Sequence, residues 1–200
     1  MILWRLRLLL RLRSGCEYGI LIDVERLMMI QKFEISKNPN ILIDNNFDYK
    51  LITLENIKLD DSYENINILD VVDVYVENYS EQYANFQQQI SQFTHANGWI
   101  HMSGKFTFGI KNSKIDTINL KGKYIENLTK FKEKHIISVY GEPDKILVDA
   151  DDWGIDYVEH AKILVYTDKK LYFFIDSDSK KLKEIHIGNI NEKFFSSRTI

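Results

Sequence analysis

The chain has little cysteine and proline, and it lacks a long apolar run. Its 200 residues include one cysteine, Cys16, and two prolines. One cysteine excludes an intrachain disulfide framework and a multi-cysteine zinc site, and it favours a reducing compartment. No run reaches the roughly 18 apolar residues of a transmembrane helix, so we expect none. These absences predict a cytoplasmic globular protein.

Arginine is confined almost entirely to the start of the chain. Five of the six arginines lie in the first 26 residues, and all twenty lysines follow them. We therefore expect residues 1–27 to be an N-terminal extension, with an amphipathic membrane-surface segment as the alternative. Beyond it, we predict a β-rich segment over 28–97 that ends in a helix, and a module over 98–200. The two parts together, 28–200, also fit a single domain.

Negative charge is concentrated in two blocks. Residues 33–97 carry eleven acids against three lysines, and residues 149–160 carry five acids and no lysine or arginine. Because nucleic-acid phosphates require clustered cations, these blocks argue against nucleic acid as the main ligand. They favour a basic protein as the partner.

Hydrophobic periodicity predicts strands and one helix in the first half. Short β-branched or aromatic runs at 33–35, 41–43 and 49–54 indicate strands. In the run 66–78, valines at 72, 74 and 76 are predicted to share one face of a strand. Residues 80–97 change to a helical spacing, with Ser80 as a cap and an apolar stripe of Tyr83, Phe86, Ile90 and Phe93.

The second half reads as a hairpin, a helix and a β-meander. KFTFGI and IDTINL flank a turn at KNSK, and we expect a bulge at Gly109. A helix over about 127–140, capped by Asn127, should end at Gly141 before Pro143. Four strand-like runs follow, and no internal repeat is evident. The fold class predicted is α+β, an antiparallel sheet with about two helices packed on one face.

The acidic stretch DADDWGIDYVEH, residues 149–160, is the strongest candidate site. An EF-hand register fails, because Trp153 and His160 stand where calcium ligands belong. The histidines show no zinc-binding pair, and His186 is expected to face solvent on its strand. Nucleophile and nucleotide motifs are absent, so we expect no cofactor and no metal. A solvated turn, a partner contact and a carboxylate site remain the three interpretations of the stretch.

A helix running into YGEPDKI, then DDWGI, then AKILVYT, KLYFFID and KLKEIHI, resembles small bacterial α+β modules. The similarity is to uncharacterised families of the polymorphic-toxin immunity type and, more loosely, to domains of the β-lactamase-inhibitor-protein type. It covers residues 98–190. It implies a non-enzymatic protein that binds and blocks another protein, with no catalytic residues carried over.

The first hypothesis is therefore an immunity-type inhibitor that neutralises a toxin or an enzyme through an acidic surface. Aromatic residues rimmed by charge are typical of interface hot spots. The predicted contact residues are Asp149, Asp151, Asp152, Trp153, Asp156 and Glu159. The alternatives are a metal-dependent or acid/base hydrolase that uses the same carboxylates with His160, and a scaffold domain.

Overall fold

The computed structural model describes residues 33–78, 85–128, 130–149, 161–190 and 195–197. Nine strands form one antiparallel sheet in the order β1-β2-β3-β4-β8-β7-β6-β5-β9. The strands are β1 (Val71–Val76), β2 (Gly98–Met102), β3 (Phe106–Lys111), β4 (Lys114–Leu120), β5 (Lys145–Asp149), β6 (Ala161–Tyr166), β7 (Leu171–Asp176), β8 (Leu182–Gly188) and β9 (Phe195–Ser197). The two α-helices are α1 (Phe86–Ser91) and α2 (Glu133–Tyr140).

This architecture confirms the predicted α+β class and the hairpin, helix and meander of the second half. The turn between β3 and β4 has two residues with positive φ, Asn112 and Ser113, which matches the right-handed twist of the hairpin. The β3–β4 register shifts between Gly109 and Ile110, so a bulge lies at the expected place, but its extra residue is Asp116 of β4 rather than Gly109. A Cβ at Gly109 would lie 2.8 Å from the Trp99 ring, so glycine lets that indole lie across β3.

Both helices are shorter than the spacing predicts. Asn85 caps α1 by accepting a hydrogen bond from the Gln88 N–H, and the helix continues into a 3-10 turn that buries Phe93. The proposed cap Ser80 lies outside the described residues. The α2 helix begins after Lys132 rather than after Asn127, which belongs to a separate 3-10 turn, and it ends at Gly141 as predicted. Neither α-helix of the described residues has the length and hydropathy needed to cross a bilayer.

The strands predicted before residue 55 are wrong. Residues Pro39–Ile43 and Tyr49–Leu51 form 3-10 turns, and the segment contributes only isolated bridges such as Glu34 to Thr53. Most apolar side chains in these short runs, Leu51 excepted, are buried against the sheet rather than alternating across a strand. Burial alone explains why these runs are apolar, because a run of three apolar residues fits a tight turn as well as a strand.

The β1 strand follows the prediction only in part. A β-bulge between Val71 and Asp73 inserts Val72, whose side chain is 54% exposed. Past the bulge, Val74 and Val76 face the main core, and Val76 is 9% exposed. Two of the three valines therefore share the predicted face, and the extra residue turns the third to solvent.

One face of the sheet carries the main core. The segment 33–66 and both helices pack on this face, where Phe93, Phe108 and Phe173 are completely buried. Tyr140 of α2 reaches across the layer and donates a hydrogen bond to the Leu42 carbonyl at 3.0 Å. The helices thus lie on one face of the sheet, as expected.

Eight of the nine strands form two four-stranded meanders that meet where β4 pairs with β8, and β9 lies outside β5. Strands β1 to β4 form the first meander and β5 to β8 the second, and their order runs outward from the shared pair. The registers correspond: the pair Phe108–Ile118 matches Phe173–Ile185. The register shifts also coincide. The residue pair that follows the shift is Ile110–Ile115 in the first meander and Ile175–Leu182 in the second. The structure therefore contains a repeat that residue identities conceal.

The repeated positions share their chemistry only on the core face. There, apolar residues match apolar residues. On the second face, Thr107 and Gly109 of the first meander correspond to Tyr172 and Phe174 of the second. The second meander accordingly has a separate apolar cluster on that face, made of Leu147, Ala161, Ile163, Val165, Tyr172 and Phe174.

The junction of the two meanders has a strict requirement for glycine. Gly188 has a φ of +118°, and a Cβ there would lie 2.2 Å from the Asp116 carbonyl oxygen. Gly141 has a φ of +80°, and a Cβ added to Gly141 would have no atom within 4 Å. The two glycines therefore separate the cost of backbone strain from the cost of a clash with β4.

We expect Gly188→Ala to lower the free energy of unfolding by about 4 kcal/mol or more, because strain and overlap add. The matched control Gly141→Ala should cost about 1 to 2 kcal/mol, from backbone strain alone. Urea denaturation followed by circular dichroism measures both values. Equal losses for the two variants would contradict the junction as described.

Candidate binding surface

The acidic stretch predicted as the contact surface lies almost entirely outside the described residues. Asp149 ends β5, and its backbone pairs with Phe195 of β9 at the edge of the sheet. The remaining predicted contact residues, together with His160, are not described: Asp151, Asp152, Trp153, Asp156 and Glu159. Their role as a partner contact stays a prediction.

An exposed apolar surface lies at the opposite end of the sheet, on β1 and the 3-10 turn that precedes it. Leu69 is 88% exposed, Tyr75 is 56% exposed and Val72 is 54% exposed. Large apolar side chains at such exposure mark interaction sites when they are grouped rather than scattered. We name this group, with its neighbouring carboxylates Asp70, Asp73 and Glu77, the β1 surface.

Carboxylates rim the β1 surface. Asp70, Asp73 and Glu77 are all exposed, and in the described part of the chain none of them forms an ion pair with a lysine. Asp73 accepts a hydrogen bond from the Val74 N–H at 2.9 Å, and Asp70 accepts one from the Asn67 side-chain amide at 2.8 Å. The negative charge is therefore held in place, and no lysine of the described residues neutralises it.

A second group of charged residues crosses the second face at the junction of the meanders. Glu184 is 4% exposed; its carboxylate contacts His186 Nε2 at 2.5 Å and Lys121 Nζ at 3.3 Å. Burial raises the pKa of Glu184, but His186, Lys121 and Asn119 outweigh that effect and hold the pKa below its usual value. The expectation that His186 faces solvent is wrong, because its ring lies 4.3 Å from that of Phe174 and its side chain is 12% exposed.

This group is closed to a substrate. Asn119 Oδ1 and His186 Nδ1 are both buried, and neither atom has a hydrogen-bond partner in the described part of the chain. General base catalysis by His186 would require its second nitrogen to reach a substrate proton, and burial prevents that contact. The nearby His101 has a pKa lowered by burial, and Lys121 lowers it further while Asp73 opposes both. The group is best described as a buried charge network that joins β4 to β8.

A small cleft lies beside the segment 33–56. Its volume is about 190 Å³, and Ser36, Pro39, Glu55 and Tyr124 contribute to its walls. Tyr124 donates a hydrogen bond to the Glu55 carboxylate at 2.9 Å. Such a volume is below the 300–1,000 Å³ that is usual for small-molecule sites. The cleft therefore gives little support to an enzyme.

Glu34 lies behind this cleft and organises its wall. Its carboxylate, 5% exposed, accepts hydrogen bonds from the Ser36 and Thr53 hydroxyls at 2.7 Å. It also accepts from the backbone N–H groups of Glu55 and Asn56, both of which have positive φ. Burial raises the pKa of Glu34, but these hydrogen bonds outweigh burial and hold the pKa below its usual value. Glu34 thus has a structural role in fixing the 53–56 turn.

No group of three or more His, Cys, Asp or Glu side chains in the described ranges is arranged to hold a metal ion. Comparison of the chain with protein-family models, with curated proteins and with solved structures finds no match. The function is therefore argued from the surfaces alone, and the β1 surface is the most accessible of them.

Residue patterns contain a signal for the β1 surface that the periodicity argument overlooked. The run INILDVVDVYVEN interleaves apolar residues with acids, and the prediction assigned its valines to a single buried face. An interleaved run at the edge of a sheet would present both kinds of side chain to solvent. Only the strand order identifies β1 as an edge, so the sequence could not supply this step.

Replacing the Glu34 carboxylate tests its assigned role. We expect Glu34→Gln to lower the free energy of unfolding by about 2 to 3 kcal/mol at pH 7, because buried donors lose an ionised acceptor. A carboxylate with a lowered folded pKa stabilises the fold above its unfolded pKa, about 4.3, and loses that effect as pH falls through the folded value. The difference between the two proteins should therefore shrink below pH 4.

Urea titrations from pH 7 down to pH 3 measure this difference, with the exposed Glu64 changed to Gln as the matched control. The control should change the free energy of unfolding by less than about 0.5 kcal/mol. A Glu34→Gln effect that is independent of pH would refute the ionised, hydrogen-bonded state of Glu34.

Proposed function

We propose that this protein is a non-enzymatic binding module of the immunity type, which neutralises a basic toxin or enzyme through an acidic surface. The observation that carries the proposal is the β1 surface, where apolar side chains up to 88% exposed share one run with carboxylates that form no ion pair with a lysine of the described residues. Apolar anchors supply affinity when they are desolvated by a partner, and surrounding charge supplies selectivity and a fast encounter.

The small cleft and the buried charge network add indirect support. The cleft is smaller than is usual for a small-molecule substrate, and in the described residues the His186–Glu184 pair is largely buried. A binder that blocks another protein requires neither a cleft nor a reactive group. The acidic stretch at 149–160 remains a second proposed contact region on the same chain.

The proposal predicts one stoichiometric partner in a tagged pull-down from the native lysate, identified by mass spectrometry. Leu69→Ser/Val72→Ser/Tyr75→Ser should lose that partner, because the variant removes the exposed apolar anchors. Leu51→Ser, which changes an apolar residue that is 46% exposed elsewhere, is the matched control and should retain it.

A parallel bait with Asp151, Asp152 and Trp153 changed to Ala separates the two contact regions. Loss of the partner from this bait alone would place the interface on the acidic stretch rather than on the β1 surface. The purified partner should lose its activity at equimolar ratio, and its association rate should fall roughly tenfold or more between low and high salt. Capture of no partner by any bait would contradict the proposal.

A further inference from the structure

The two ends of the sheet are equivalent positions of the repeat, but only one of them is covered by a strand. The β5 strand pairs on its outer side with β9, through Leu147–Ser197, Val148–Ser196 and Asp149–Phe195. The corresponding residues of β1 are Tyr75, Val76 and Glu77, as the matched pairs Tyr75–Trp99 and Leu147–Ile163 establish. In the described part of the chain no strand pairs with the outer side of β1.

Burial differs in the same way at these equivalent positions. Leu147 is 2% exposed, whereas Tyr75 is 56% exposed. The end of the second meander therefore buries an apolar side chain that the end of the first meander leaves in solvent. An exposed strand edge with apolar side chains is a template for pairing with another chain.

Backbone geometry shows which groups of β1 face the open edge. Asp70 and Glu77 bond towards β2, since the Ser103 N–H donates to the Asp70 carbonyl and the Glu77 N–H donates to the Asn97 carbonyl, both at 2.8 Å. Antiparallel pairs alternate between bonded and non-bonded positions, so Val74 and Val76 direct their N–H and C=O groups outward. Asp73 accepts from the Val74 N–H, as expected for an outward donor without a strand beside it.

Charge along β1 selects what can pair there. Asp73 and Glu77 share the second face with Tyr75, while Val74 and Val76 face the core. A second copy of β1 would bring the same carboxylates to the same edge, and like charges across a strand pair are destabilising. A segment with lysine or arginine on that face would instead place opposite charges side by side.

We propose that β1 accepts an extended segment of the basic partner as an antiparallel strand, in the way that β5 accepts β9. Apolar side chains of the segment lie beside Val74 and Val76, and basic side chains lie beside Asp73 and Glu77. This inference rests on the proposed function and adds the binding mode, which is strand addition to a sheet edge.

The test uses the full chain and labelled eight-residue peptides of alternating sequence, Val-Lys repeats and Val-Glu repeats, followed by fluorescence anisotropy. Wild-type protein should bind the Val-Lys peptide about tenfold or more tightly than the Val-Glu peptide, because two carboxylates lie at the edge. Asp73→Lys/Glu77→Lys should reverse this preference. Asp168→Lys/Asp178→Lys changes the net charge equally on exposed turns of the second meander, and it should leave the preference intact.

A backbone control requires no change to the protein. Two versions of the Val-Lys peptide carry N-methyl groups on alternate residues, one on the valines and the other on the lysines. In one version the methyl groups replace the N–H donors that would face β1, and in the other they replace donors that point away from it. The first replacement should abolish binding and the second should retain it. Equal binding of both methylated peptides, or no reversal by Asp73→Lys/Glu77→Lys, would show that strand addition does not occur.

Failure of this inference is distinguishable from failure of the proposed function. A partner that is captured in the pull-down and retained by Asp73→Lys/Glu77→Lys would overturn strand addition and leave the binding module intact. Peptide binding with the predicted preference but without any captured partner would support the edge and contradict the inhibitor. Self-association that Asp73→Lys/Glu77→Lys abolishes, measured by light scattering, would assign the edge to a second copy and overturn the inference.

Discussion

The antiparallel pairing of β4 with β8 is the interaction on which the rest of the structure depends. It joins two meanders that are otherwise formed from separate parts of the chain, and it brings Ile118 beside Ile187 in the core. Asn189 reinforces it, since its side-chain amide donates to the Asp116 carboxylate at 2.6 Å and its carbonyl accepts from the Thr117 hydroxyl at 2.7 Å. Without this pairing each meander would expose an additional edge, and the common core layer would be divided.

The repeat built around that junction explains why the two faces of the sheet differ. The core face is apolar in both meanders and supports the segment 33–66 and both helices. The second face has a buried apolar cluster in the second meander, and Glu184 lies buried at its boundary with the first meander, where it contacts His186 and Lys121. A buried charge of this kind is stable only while its partners stay in place, so the boundary fixes the register of β4 on β8.

Local signals predicted the parts of this fold that local geometry determines. The Asn112–Ser113 turn and the helix stop at Gly141 each require a backbone conformation with positive φ, and their residues reveal it. Turns before residue 55 were predicted as strands because a short apolar run is buried equally well in a tight turn and in a strand. His186 was misplaced because alternation along one strand does not show that both faces of a sheet are covered.

The candidate surface depends on information that no single segment contains. Acidic residues in β1 have a direct structural purpose, since charge on an edge strand opposes pairing with a second copy. That purpose does not require Val72, Tyr75 and Leu69 to be exposed, and burying them would protect the edge more effectively. On the proposed function, the combination of repelling charge with exposed apolar side chains would disfavour partners of like charge and favour basic ones, which is how selectivity differs from simple protection.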